Sequence, residues 1–185
     1  MHPFDCVCRQ HLGRREIIRS AIGLACAAAT PAALAAGAGV RSLNLVAINT
    51  GETFRDVYWR DGRYDPAALR RLNWILRDQR RNEATRMDPR LLDLLHALAR
   101  RLDAAGPVHV ISAYRTPLTN AAKRAASRRV AKNSLHMEGE AIDIAFEGRS
   151  PVGVANVAAA LGAGGVGLYR RDGFVHVDVG PRRRW

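Results

Sequence analysis

Two short segments with two-residue alternation, Ala141–Phe146 and Phe174–Val179, constrain this chain more than any other feature. Successive side chains on a strand point to opposite faces. Ile142 and Ile144 therefore face one way, and Ala141, Asp143 and Ala145 the other. In the second segment Val175, Val177 and Val179 share one face, and Phe174, His176 and Asp178 the opposite one. To act together, the two polar faces have to line one cleft. The small alanines beside Asp143 leave room around its carboxylate, and His136, seven residues earlier, sits in a loop that Gly139 lets turn tightly. Such a loop can swing an imidazole over the strand face.

Two histidines and one or two aspartates brought together make a zinc site with room for a water. All three cysteines (Cys6, Cys8 and Cys26) fall within the first 35 residues, so no thiolate site is available in the remainder. A zinc ion with three protein ligands activates its water and polarises a bound carbonyl. A nearby carboxylate can accept the water's proton and hand it to a leaving amine. The chemistry that follows is amide hydrolysis, with Arg115 available to pair with a substrate carboxylate. His96 lies on or beside a helix with no ligand-type residue three or four positions away, and it reads as a polar side chain at a helix border.

The first 35 residues read as an export signal. Arg14-Arg15 precedes an alanine-rich apolar run from Ala21 to Ala29, and Ala33-Leu34-Ala35 offers a small-x-small cleavage signal. Paired arginines favour the twin-arginine route, and with it a periplasmic location. The run is too short to span a membrane, so no stable membrane span is expected after its removal. Residues 36–185 are the size of one domain with a real core. The leader carries four arginines against Asp5 and Glu16, so the formal charge of +12 becomes +10 in the remainder. That excess favours a polyanionic neighbour. For an exported chain, anionic cell-wall polymer fits better than nucleic acid, for which no basic–aromatic stacking motif is present.

Within 36–185 the pattern predicts one α+β domain: a small antiparallel sheet with helices packed on it. Leu43, Leu45 and Ala47 alternate along a first strand, Asn49–Glu52 is a turn, and Thr53–Trp59 returns. Asp65 with Pro66, and Asp88 with Pro89, each open a helix. The first carries Leu69, Leu72, Ile75 and Leu76 on one face and arginines as far as Arg81. The second is driven by Leu91, Leu92, Leu95 and Leu98 to about Ala104, before Gly106-Pro107. Val108–Ala113 is a strand, and the basic run Ala121–Lys132 is helical in part. Ser150-Pro151 opens a last helix, and Val166–Tyr169 with Phe174–Val179 forms a hairpin. Pro181–Trp185 reads as a basic tail.

At these residues the chain resembles a known group. Ser134-x-His136-x-x-Gly139-x-Ala141-x-Asp143 with a later His176-x-Asp178 is similar to the zinc D-alanyl-D-alanine carboxypeptidase superfamily, which shares its fold with the hedgehog signalling domain. Tyr58–Tyr64, Asp88–Asp93, Ser112–Pro117 with Asn120, and Gly164–Gly167 resemble its MepK-like (YcbK-like) murein endopeptidase branch. The resemblance implies zinc-dependent hydrolysis of peptidoglycan stem-peptide cross-links. It implies His136 and Asp143 as zinc ligands, Arg115 as catalytic and, with Ser112 and Ser134, substrate-binding. Relatives that end in His-x-His have a second imidazole where Asp178 stands. Either His176 binds zinc and Asp178 is the base or orients a ligand, or the two exchange roles. The first is preferred, because imidazole is the commoner zinc donor. The alternatives are a D,D- or L,D-carboxypeptidase on the same peptides and a non-catalytic wall-binding module.

Overall fold

A computed structural model describes residues 39–127 and 130–185. The proposed leader lies outside the described residues. Eight strands form one sheet in the order β3-β2-β1-β4-β5-β7-β6-β8. They are β1 (Val40–Ala47), β2 (Thr53–Arg60), β3 (Arg63–Tyr64), β4 (Val108–Ser112), β5 (Ala141–Phe146), β6 (Gly165–Tyr169), β7 (Phe174–Asp178) and β8 (Arg183–Arg184). The helices are α1 (Pro66–Ile75), α2 (Pro89–Arg101), α3 (Pro117–Ala126) and α4 (Pro151–Ala160). None of these helices is long and apolar enough to cross a membrane.

The α+β class stands, but the sheet is neither small nor wholly antiparallel. β1 pairs with β4 in parallel, and so does β6 with β8. The first hairpin accounts for one edge of β1. Its other edge takes β4 after the long α1–α2 connection, a pairing that period-two alternation does not encode. The basic tail is in part a strand: Arg183 and Arg184 pair with Gly165 and Val166.

Every helix starts on the same device, a side-chain cap followed by proline. Asp65 and Asp88 accept from the first-turn amides of α1 and α2, and Thr116 and Ser150 do so for α3 and α4. Each cap satisfies amides that have no partner inside the helix, and proline sits where no amide hydrogen is needed. α3 thus begins four residues before the basic run in which a helix was expected. α1 stops at Ile75 rather than reaching Arg81. There the chain turns so that the Asp78 carboxylate is buried and accepts from the Thr116 amide and hydroxyl, both at 2.8 Å. That buried carboxylate ties the end of α1 to the start of α3.

α1, α2 and α4 pack on the apolar face of the sheet. Leu43, Leu45, Ile142, Ile144, Val175 and Val177 meet Leu72, Leu91, Leu95, Leu98 and Val154 there. Burying these side chains supplies about 1.5–3 kcal/mol each. It also fixes the phase of the central strands, because a one-residue slip would send the valines outward. The opposite face of β5 and β7 is thereby left to Asp143, His176 and Asp178.

Candidate metal centre

The β5–β7 register sets Asp143 directly opposite His176 and Ala141 opposite Asp178. His136 arrives from a 3-10 turn, Leu135–Met137, ahead of β5. This turn is locked to the loop after β4 in both directions. The His136 ring Nδ1 donates to the Ala113 carbonyl at 2.6 Å, and the Arg115 amide donates to the His136 carbonyl at 3.0 Å. Gly139 closes the loop at φ +73, where an added Cβ would lie 2.7 Å from the Arg86 carbonyl oxygen. The tight turn expected from that glycine is present.

Three donor atoms converge: His136 Nε2, His176 Nδ1 and Asp143 Oδ1. Their separations are 3.1 Å between the imidazoles, 3.2 Å from His136 to Asp143, and 2.9 Å from His176 to Asp143. A tetrahedral ion with bonds of 2.0–2.1 Å has ligand–ligand edges of about 3.3–3.4 Å. The triangle is therefore nearly one face of such a site, and a small outward relaxation completes the fit.

Proton placement points the same way. The Ala113 carbonyl can only accept, so His136 Nδ1 carries the hydrogen and Nε2 is bare. His176 Nε2 lies 3.0 Å from Asp178 Oδ2, so it too donates, and in the neutral ring Nδ1 is bare. Two lone pairs and a carboxylate oxygen then face one another with no hydrogen between them. All three residues are buried, with 1% exposure for His136 and 7% for Asp143 and His176. Such a cluster of acceptors is unfavourable until a cation sits in it. These three residues form the one group of metal-ligating type found among the described residues.

The electrostatics are consistent with this geometry. Burial raises the Asp143 carboxyl, but the two imidazoles outweigh burial and hold it far below the usual carboxylate range. Burial lowers His136, and the Asp143 charge recovers only part of that loss, so its ring stays neutral more readily than a free imidazole. Burial also works to lower His176, yet the adjacent Asp143 and Asp178 carboxylates prevail and raise it. Absent a metal, a proton on His176 would relieve the same crowding of acceptors.

Asp178 has no exposed surface, and both of its oxygens are in use. Oδ1 accepts from the Gly165 amide at 2.6 Å and the Gly180 amide at 3.0 Å. Oδ2 accepts from His176 and from Arg183 Nη2 at 2.6 Å. Burial would raise this carboxyl, but the bonds from His176 and the two glycine amides keep it depressed. The geometry has Asp178 gripping the far edge of His176 rather than pointing into the cleft. Gly164 and Gly165 allow the approach, since a Cβ at either would fall within 2.7 Å of the carboxylate.

Arg115 is likewise built in. Its Nη2 donates to Asp143 Oδ2 at 3.1 Å and its Nε to Ser112 Oγ at 3.2 Å. Ser112 is thus a support for Arg115, and Ser134 lines the cleft beside His136. His96 is structural, as expected: its Nδ1 lies 2.8 Å from the Ser42 carbonyl oxygen.

The cleft over the three ligands has a volume of about 720 Å³, with α3 on one side and the β6–β7 hairpin on the other. Four residues there escaped the sequence reading. Arg183 clamps Asp178, Trp185 lies 5.2 Å from the His176 ring, and Arg80 and Lys123 line the opposite wall. A signal for Trp185 existed in Gly167, whose missing Cβ makes room for the indole, but only coordinates could pair them.

Comparison with known proteins bears on this site. The M15 peptidase family model described as Peptidoglycan L,D-endopeptidase MepK matches residues 35–185. The Peptidoglycan L,D-endopeptidase MepK of Escherichia coli strain K12 is 42% identical over 146 residues, covering 78% of this chain and 80% of that protein. The probable peptidoglycan L,D-endopeptidase MepK of Haemophilus influenzae is 39% identical over 146 residues, covering 78% of each.

Proposed function

The chain belongs to the M15 family of MepK-type peptidoglycan endopeptidases, and from that premise we infer that it is an exported, zinc-dependent enzyme that opens peptide cross-links in murein. The observation that carries the reading is the triangle of bare acceptors formed by His136 Nε2, His176 Nδ1 and Asp143 Oδ1, with edges of 2.9–3.2 Å. Two imidazoles and one carboxylate suit zinc and leave a coordination position open, as hydrolytic sites require. A zinc ion held there supplies Lewis acidity to an amide carbonyl and to water.

The surrounding residues set up that chemistry. Asp178 fixes the His176 tautomer so that Nδ1 stays bare, and it is a positioning residue in this scheme. Arg115 holds Asp143 from the other side and directs Oδ1 at the metal position. Its remaining N–H groups open on the cleft, where a substrate carbonyl or carboxylate oxygen would lie. Ser134 borders the same space and offers a hydroxyl to the peptide. The scaffold is read as the hedgehog-type one, on the strength of the site being carried by adjacent antiparallel strands.

The bond cut is taken to be of the L,D type, as the relatives' names state for those proteins. A periplasmic site of action reached by the twin-arginine route rests on Arg14-Arg15 and the run after it. Anionic wall polymer is proposed as the neighbour that the basic surface favours.

The test is digestion of purified cross-linked murein and of defined muropeptide dimers by the zinc-loaded protein. Release of stem peptides from L,D-linked dimers is expected, with loss of release on chelation and recovery on adding zinc. His136→Ala and Asp143→Ala should abolish release without unfolding the chain. Undiminished cleavage by metal-free protein would refute the mechanism.

A further inference from the structure

The cleft over the metal centre adjoins a second hollow of about 400 Å³, lined by residues of β4, of the turn after it and of α3. The two share three lining residues, Arg80, Arg115 and Lys123, so the waist between them is wholly cationic. Only Arg115 has a counter-ion within the fold, and that counter-ion is Asp143. Among the described residues neither Arg80 nor the Lys123 ammonium has an ion pair or a side-chain hydrogen bond.

That arrangement is unfavourable as it stands. Lys123 is half-buried on α3. Its pKa is lowered by burial first, and then by the positive charges of Arg115 and Arg80. The two carboxylates that act on it in the opposite sense, Asp143 and Asp78, are already committed. Asp143 is taken by the histidines and Arg115, and Asp78 by Thr116 and the Arg80 amide. Three like charges around one waist, with Asp143 and Asp78 committed and the cleft's other acid, Asp172, lying in the turn between β6 and β7, form a receptor for an anion.

The chemistry of the substrate supplies one. When a peptide is cross-linked through the second amine of a diamino diacid residue, the carboxyl on the same carbon as that amine stays free beside the new amide. A groove reading both sides of the scissile bond then meets a carboxylate near the metal centre. We propose that Arg80 and Lys123 form an anion subsite at the waist of the cleft, and that it receives the free carboxylate of the stem peptide next to the scissile amide. This rests on the murein endopeptidase reading. It divides the work of the cations: Arg115 orients Asp143 and meets the substrate at the metal centre, and Arg80 and Lys123 hold the neighbouring carboxylate. Both can move, since Arg80 is exposed and Lys123 hangs from a helix, so they adapt to the incoming carboxylate at little cost to the fold.

The experiment is calorimetric titration of the zinc-loaded full chain with an uncross-linked stem peptide, as the free acid and as the carboxamide. The double variant R80Q/K123Q should bind the free acid about tenfold or more weakly than wild type, the size expected when charge-assisted contacts are lost. Wild type should bind the carboxamide as weakly as the variant binds the acid, and on the carboxamide the substitutions should have no effect. Lys123→Arg, which keeps the charge, should retain the acid binding that Lys123→Gln loses, and zinc content should be unchanged throughout. Equal binding of acid and amide, wild-type affinity in the double variant, or no acid binding by wild type overturns the proposal. The peptide contains no cross-link, so the outcome stands apart from murein digestion. Failure of digestion alone removes the peptidase reading, whereas failure here removes the subsite.

Discussion

Replacing Asp178 with asparagine separates the two roles that a carboxylate next to His176 could have. In the fold, Asp178 Oδ1 sits on the Gly165 and Gly180 amides and Oδ2 on His176 Nε2 and Arg183. All four partners are donors. An asparagine keeps the shape but offers only one acceptor oxygen. With that oxygen on the two glycine amides, its NH2 group faces His176 Nε2. The imidazole can then satisfy the contact only by accepting, which moves its proton to Nδ1, the atom that faces His136 and Asp143. A protonated Nδ1 cannot bind a metal. Losing the partner that orients a ligating histidine typically costs 10–100-fold in metal affinity, or about 1.4–2.7 kcal/mol. The apo fold should lose a further ~1.5–3 kcal/mol, the size of a buried hydrogen bond to a charged group.

Two assays decide the matter: zinc affinity by competition with a chromogenic chelator, and murein hydrolysis at saturating zinc. The expected result is weak zinc binding, with activity recovering substantially as zinc is raised. If Asp178→Asn binds zinc like wild type yet remains inactive at every zinc concentration, the carboxylate is taking the proton itself and the positioning argument is wrong.

Other perturbations probe the parts that hold this centre. Arg183→Ala removes one of the partners of Asp178, but the arginine side chain is 42% exposed, so zinc affinity should fall only a few-fold, as befits a screened pair; a loss as large as that of Asp178→Asn would contradict this ranking. Gly139→Ala meets both a left-handed φ and the Arg86 carbonyl; urea unfolding should show a loss of about 2–4 kcal/mol, and an unchanged midpoint would mean the loop relaxes freely. Asp78→Asn should alter the acid response. Burial raises that carboxyl, but bonds from Thr119, Thr116 and Arg80 hold its pKa below the ordinary value. The stabilisation is therefore complete above the unfolded pKa of about 3.9 and fades as pH falls through the folded value. The wild type should exceed the variant by about 2 kcal/mol at pH 7, and the difference should shrink below pH 4; a constant difference across that range would exclude a titrating carboxylate.

The phase of the two central strands was legible because burial enforces it. Ile142, Ile144, Val175 and Val177 have to face α2 and α4, so Asp143 and His176 have to face away. The proline-capped helix starts at Asp65, Asp88 and Ser150 were legible for an equally local reason. What escaped depends on partners distant in sequence. The end of α1 is decided by Asp78 reaching Thr116, 38 residues on, and no periodicity in the arginine-rich run records that. The parallel pairing of β1 with β4 is decided by how α1 and α2 pack, not by either strand. The tail reads only as basic because Arg182, Arg183 and Arg184 follow one another, yet β8 is held by β6 and by the carboxylate of Asp178. Asp178 itself was legible as a residue of the site. Which way it works was not, because its four donors come from β7, the turn after β7, β6 and β8.

The same distinction sorts the excess of positive charge. A net charge counted along the chain treats every arginine alike, and suggests a diffuse attraction to anionic polymer. The fold divides the cations. Arg115 and Arg183 flank the metal centre, where each offsets a buried carboxylate, Asp143 in one case and Asp178 in the other. Without them those carboxylates would be charges in a low-dielectric wall, and the acceptor triangle would be harder to build. Arg80 and Lys123 stand in front of it with no internal partner, on the side from which a substrate must come. Acceptors turned inward on a rigid sheet and cations held on the adjoining wall complement a ligand that pairs a metal-seeking carbonyl with a nearby anion, as a cross-linked peptide with a free carboxyl does.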